Sequence, residues 1–135
     1  MHRNGCVEVV DANSCGSHNR EDTPLCYPRR YEDRLRESLE NAVTLLRSLD
    51  VAEPYFVGLA VLNCRGFGLY RASNIGGNYK RLERDRILLS EGSIDVWDGN
   101  VDAVLRPQFD MIMNAFGFPR STNYNANGVW APTER

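Results

Sequence analysis

The sequence is short of most features that announce a chemistry. Its one long uncharged apolar run, Pro54 to Leu62, has nine residues, where a membrane-spanning helix needs about 20. Neither sign of charge dominates: 16 Lys and Arg stand against 18 Asp and Glu, a net charge of -2. Global electrostatic capture of nucleic acid is thereby excluded, and only a local basic patch could hold it. There are two histidines, His2 and His18. Gly-x-Ser-x-Gly, a Walker loop and His-Glu-x-x-His are all missing. Gly66-Phe67-Gly68 and Gly76-Gly77 lack the strand–glycine–helix setting of a dinucleotide site. Cys6, Cys15, His18 and Cys26 could supply four zinc ligands, but structural zinc sites normally show paired Cys-x-x-Cys knuckles, and none occurs. The first twenty residues lack the apolar segment of a secretory signal. A cytoplasmic location is expected, with Cys6, Cys15, Cys26 and Cys64 as reduced thiols. No catalytic residue, metal or cofactor is singled out. An Asp or Glu pair working as acid and base is left open, with nothing to mark one.

What is present describes a fold more readily than a function. A chain of 135 residues suffices for one domain with a real core. Residues 1–28 are rich in Asn, Ser, Gly, Asp and Glu and offer little apolar surface to offset the entropy of ordering. They read as a mobile polar leader, with at most a short strand at Val7 to Val10. Residues 29–135 then form a single domain. Pro54 to Leu62 is its central strand: Tyr55, Val57, Leu59 and Val61 fall on one face, and Phe56, Gly58, Ala60 and Leu62 on the other. Both faces are apolar, so burial on both sides is expected, with a helix passing close over Gly58 and Ala60.

Arg29 to Leu49 is the clearest helix, with Tyr31, Leu35, Leu39, Ala42, Val43, Leu46 and Leu49 at helical spacing. Glu32 with Arg36, and Arg34 with Glu37, fall on the predicted wet side at pairing distance. After Leu62, a turn at Asn63 to Gly66 predicts a hairpin with a strand at Phe67 to Arg71. Ala72 to Tyr79 is a loop, Arg86 to Ser90 a third strand, and Ile94 to Trp97 its continuation past a bulge at Gly92 or a fourth. A second helix follows Asn100 as N-cap, carries Val101, Val104, Leu105, Phe109, Ile112, Met113 and Phe116, is interrupted at Pro107, and stops at Gly117 and Pro119. The polar tail is expected to dock the Trp130 indole on the core. The pattern predicts an α+β fold: a small antiparallel sheet of three or four strands flanked by two amphipathic helices.

Two further patterns bear on binding. Arg65, Arg71, Lys80, Arg81, Arg84 and Arg86 face only Glu83 and Asp85, a local charge of +4, while residues 87–118 carry -4. The basic stretch suits phosphate contacts, with Tyr70 and Tyr79 available for base stacking. It suits equally two oppositely charged surface segments lying side by side, since such exposed pairs are common and weak. Asn123, Asn125, Asn127, Gly128 and Glu134 have the spacing of a calcium loop. Three neutral amides in place of acids make an Asn-Gly turn in a docked tail the better reading.

From Tyr31 onward the order of motifs resembles a known arrangement. Pro54-Tyr55-Phe56-Val57 leads to Asp85-Arg86-Ile87-Leu88-Leu89, then Leu105-Arg106-Pro107-x-Phe109-Asp110. The last block runs from Asn114-Ala115-x-Gly117-x-Pro119-Arg120-Ser121-x-Asn123-Tyr124 to Gly128 and Trp130. This resembles the C-terminal region of bacterial DNA-binding or ATP-binding proteins that carry a Schlafen-type AlbA domain ahead of it. The Glu-Phe-Lys-type opening and glycine-rich strand pair of that AlbA domain are not in this sequence. The resemblance therefore implies the companion module without the nucleic-acid domain, and it carries over no catalytic residue. The first expectation is a non-enzymatic accessory or interaction domain, its partner an upstream domain or another protein. The second is a nucleic-acid-binding module using the six basic residues. The third is a small-molecule-binding domain or enzyme with a pocket over Gly58 and Ala60. An open sheet edge would also permit a homodimer.

Overall fold

The computed structural model describes residues 5–18, 23–71 and 80–132. The loop expected over Ala72 to Tyr79 lies outside these residues, and so do Tyr79, Glu134 and the side chain of His18.

The first helix, α1 (Pro28–Ser48), follows the predicted apolar period, with Tyr31 and Val43 buried. Its end shows why the chain stops there. Asp50 takes a left-handed φ of 59°. The Asp50 N–H bonds the Arg47 carbonyl and the Val51 N–H bonds the Leu46 carbonyl. These two bonds are the Schellman closure, here built on aspartate where glycine is usual. The second helix, α2 (Asp102–Ala115), ends in the same closure on Gly117, whose φ is 88°. Pro107 does not split α2: one helix runs through it. The bond Pro107 cannot make would go to the carbonyl of Ala103, an exposed residue that water can serve. Asn100 Oδ1 accepts the Asp102 N–H at 3.0 Å, so it does cap the first turn, although the helix is bounded by Val101.

The α+β composition is as expected; the strand pairing is not. The central run forms β3 (Tyr55–Val57) and β4 (Ala60–Leu62). It does not pair with Phe67 to Arg71. It pairs antiparallel with β6 (Arg86–Leu88) and β7 (Gly92–Ile94): Tyr55 faces Ile94, Val57 faces Gly92, Ala60 faces Leu88 and Leu62 faces Arg86. A Leu89 N–H to Leu59 carbonyl bond joins the two short ladders. Between them, residues 58–59 stand against 89–91, so one extra residue bulges on the second strand and flips its alternation. The bulge precedes Gly92, and the strand resumes there.

Gly92 exists for packing. A Cβ on it would collide with Val104 Cγ2 and stand 3.3 Å from Gln108 Nε2, both on α2. The close helix approach expected over Gly58 is therefore made at Gly92 instead, and nothing lies within 4 Å of a Cβ built on Gly58. Phe109, Ile112, Met113, Val104 and Leu105 press on the inward side of the ribbon, with Tyr31 edge-on to Phe109 at 6.2 Å.

The hairpin partner proposed for the central strand goes elsewhere. Strand β5 (Gly68–Leu69) runs parallel to β2 (Pro24–Cys26), which pairs antiparallel with β1 (Cys15–His18). Leu25 and Cys26 are fully buried. The segment read as a polar leader thus contributes a strand pair to the domain, with its few apolar side chains placed where they count. Val7 to Val10 is not a strand.

The tail docks through its polar side chains. Asn125 Oδ1 accepts the N–H groups of Asn127 and Val129, folding 125–129 into a tight turn beneath a Tyr124–Trp130 bridge. Glu32 is 0 % exposed. It accepts from Ser121 Oγ and Asn123 Nδ2, each at 2.7 Å, and from Trp130 Nε1 at 3.4 Å. Arg36 makes a paired contact with Asp102 at 2.8 and 3.1 Å and stacks on Trp130 at 4.3 Å. Glu32 and Arg36, expected as a surface pair, each turn instead to the tail that covers them.

Candidate interaction surface

The ribbon built by β3–β4 and β6–β7 has one covered side and one bare side. Inward, Tyr55, Ile87 and Ile94 are buried against the helices. Outward, the even-numbered residues of the central run line up. Phe56 is 69 % exposed, Leu62 64 % and their neighbour Leu88 65 %, with Gly58 and Ala60 also open. The sequence expectation of burial on both sides is corrected here. Among the described elements, α2 packs on the inward side, where a Cβ on Gly92 would meet Val104 and Gln108, and Phe56, Leu62 and Leu88 stay exposed on the other. Three large apolar side chains on one exposed face are more than scattered surface residues, and such patches mark interaction sites.

Charge at the two ends of this face is unlike. Arg86 lies opposite Leu62, and Arg84 precedes it; both are exposed with no ion-pair partner among the described residues. At the Phe56 end, Ser93 faces Phe56, and the exposed Asp95 follows β7. The face is basic at one end, acidic at the other and apolar between.

A groove of about 390 Å³ adjoins it, lined among others by Leu35, Leu39 and Leu46 of α1, Val7 and Val9, and Phe56 and Gly58. It reaches Gly58 but not Ala60, so it only partly matches the pocket expected over the central strand. The buried carboxylate that could supply chemistry is Glu32. Burial pushes its pKa up, and the hydrogen bonds from Ser121, Asn123 and Trp130 only partly offset this. Glu32 does not line the groove. Cavity and perturbed carboxylate lie in different places.

The six basic residues do not converge. Arg65 is engaged with Asp85 at 2.8 and 3.1 Å. Arg71 stacks on Phe118 at 4.3 Å. Arg81 Nη2 donates to Thr23 Oγ1 at 2.8 Å. Lys80 lies against Gly117, just past the C-terminal end of α2. Arg84 and Arg86 share the end of the ribbon with Arg65, whose charge is taken up by Asp85 between them. Tyr70 stacks at 4.9 Å on Tyr27, within the chain itself.

No group of three or more metal-ligating side chains occurs among the described residues. Asn123 is buried with its Nδ2 on Glu32, and Asn125 commits its Oδ1 to backbone amides, so the two do not present a calcium loop. Among those residues no helix is long and apolar enough to cross a membrane. Comparison with protein-family models, curated proteins and solved structures finds no match to this chain.

Phe56 and Leu88 went unrecognised as surface residues because their identities are those of core residues.

Proposed function

We propose that this chain is a non-enzymatic interaction module whose working surface is the outward face of the ribbon, and that the occupant it fits is a second copy of itself. The observation that carries the reading is the exposure of Phe56, Leu62 and Leu88 on one face between a basic and an acidic end. A two-fold axis across the middle of the ribbon lays Phe56 of one copy over Leu62 of the other. The same axis lays Arg86 of each copy over Ser93 of the other, from where its long side chain extends toward Asp95, so the charge pattern is self-complementary. The resemblance to a companion module of larger DNA-associated proteins is in keeping with a role in assembly.

Each of the three side chains has about two thirds of its surface left to bury, worth about 1–2 kcal/mol apiece. Six such side chains give about 6–12 kcal/mol against an association cost of about 4–15 kcal/mol. The most favourable combination, about 8 kcal/mol, limits the dimer to a Kd no tighter than about 1 µM, so the association is weak and reversible. Sedimentation velocity over a concentration series tests it, comparing the natural chain with Phe56→Ser and Leu88→Ser. The expected result is concentration-dependent dimer in the first and monomer in both variants. A chain that stays monomeric at about 1 mM, or whose dimer survives both substitutions, would overturn the reading.

A further inference from the structure

We propose that Cys15 and Cys26 form a redox-active dithiol that reacts with hydroperoxides and closes a reversible disulfide across the β1–β2 pair. The two residues are direct partners in the ladder. The Tyr27 N–H donates to the Ser14 carbonyl at 3.3 Å, which makes residues 14 and 27 the hydrogen-bonded pair. Cys15 and Cys26 are then the adjacent non-hydrogen-bonded pair, where Cα atoms stand about 4.5 Å apart and side chains are closest. That separation lies within the range a disulfide spans.

The two thiols are placed differently. Cys15 is half-buried and within reach of a small oxidant, while Cys26 is 2 % exposed beneath it. The neighbouring Cys26 thiol, with help from the Tyr27 N–H, outweighs burial and holds the Cys15 thiol below its usual pKa. The Cys15 sulfur beside it, together with burial, pushes Cys26 far up. Cys15 is the nucleophile and Cys26 the resolving thiol. The third buried thiol, Cys64, is turned to the Arg84 carbonyl at 3.3 Å.

The steps balance. The Cys15 thiolate attacks the terminal oxygen of a hydroperoxide; an S–O bond forms, the O–O bond breaks, and the departing alkoxide takes a proton to leave as an alcohol. Cys15 is now a sulfenic acid. The Cys26 sulfur attacks the Cys15 sulfur, the S–S bond forms, the S–O bond breaks, and hydroxide leaves as water with the Cys26 proton. Two equivalents of a low-molecular-weight thiol return the pair to its reduced form by exchange. This chemistry is independent of the ribbon face.

The test uses the full chain carrying Cys6→Ser, because trypsin leaves Cys6 and Cys15 together on residues 4–20 and Cys26 on residues 21–29. After reduction, the chain is exposed to a slight excess of hydrogen peroxide, alkylated and mapped by mass spectrometry. The expected result is a loss of about 2 Da and a cross-link between the two peptides, both reversed by dithiothreitol. Cys26→Ala is expected to trap Cys15 as a dimedone-reactive sulfenic acid. Cys15→Ser, at a half-buried site with less risk to folding, is expected to leave Cys26 unoxidised. A Cys15 that stays reduced, or that passes to sulfinic acid without a cross-link while Cys26 is intact, overturns the proposal. Oxidation of Cys26 in the Cys15→Ser chain also overturns it.

Discussion

Glu32→Ala is the substitution that most directly probes how the tail is held. Glu32 receives two hydrogen bonds of 2.7 Å from Ser121 and Asn123, both buried, and a long one of 3.4 Å from Trp130. Truncation leaves two buried donors without an acceptor, at about 1–3 kcal/mol each. Part of that is returned because the buried carboxylate, whose pKa burial raises, no longer has to be ionised. A net loss of about 2–4 kcal/mol is expected, out of the roughly 5–15 kcal/mol of a domain this size. The assay is urea unfolding read by tryptophan fluorescence, paired with trypsin cleavage after the exposed Arg120. Glu32→Ala should shift the midpoint down and open the Arg120 site, while Glu32→Gln, which keeps an acceptor for Asn123, should lose about 1 kcal/mol. An alanine variant within about 0.5 kcal/mol of the natural chain, with the Arg120 site still protected, would refute the reasoning.

Other expectations rest on single contacts. Asp50→Gly places glycine at the left-handed position that closes α1 and should stabilise the chain by about 0.5–1 kcal/mol in thermal unfolding. Gly92→Ala drives a methyl group into Val104 Cγ2 and should destabilise by about 1–3 kcal/mol, while Gly58→Ala, with open space around it, should not. The pH dependence should carry two opposite signs. Burial raises the Asp102 pKa, but the hydrogen bonds from Arg36 and Tyr124 outweigh it and hold the group below 3.8. Its contribution is therefore present above pH 3.8 and lost as pH falls through the lower folded value. Glu32, raised above 4.5, contributes below that pH and loses the contribution as pH rises through its folded value. Urea midpoints across pH should show Asp102→Asn flattening the acid limb and Glu32→Gln the limb above it.

The helices were legible in the sequence because their apolar spacing has one period and one partner face. The Gly117 stop was legible because a left-handed cap favours one residue type. Strand pairing was harder. The nearest candidate in sequence, Phe67 to Arg71, lost the central strand to a segment beyond residue 85, and local spacing cannot rank partners at different separations. Its own partner lay in the polar residues ahead of α1, where Leu25 and Cys26 are too few to stand out from the composition around them. Glu32 misled for a related reason: a charge on the polar side of a helix reads as wet until a tail that brings donors covers it. The outward face was half legible. Alternation assigned Phe56, Ala60 and Leu62 to one side, but apolar identity argued for burial that none of the described elements supplies.

The central claim is that two ribbons meet face to face with opposite ends aligned. The most direct measurement is equilibrium sedimentation of Arg86→Glu and Asp95→Arg, each alone and then mixed. Alone, either variant sets like charges against each other twice and should weaken association about tenfold, as expected for two exposed pairs of about 0.5–1 kcal/mol each. Mixed, each altered residue meets its altered counterpart, and the dimer should return to near the natural affinity. No recovery on mixing, or no weakening in either variant alone, would contradict the arrangement.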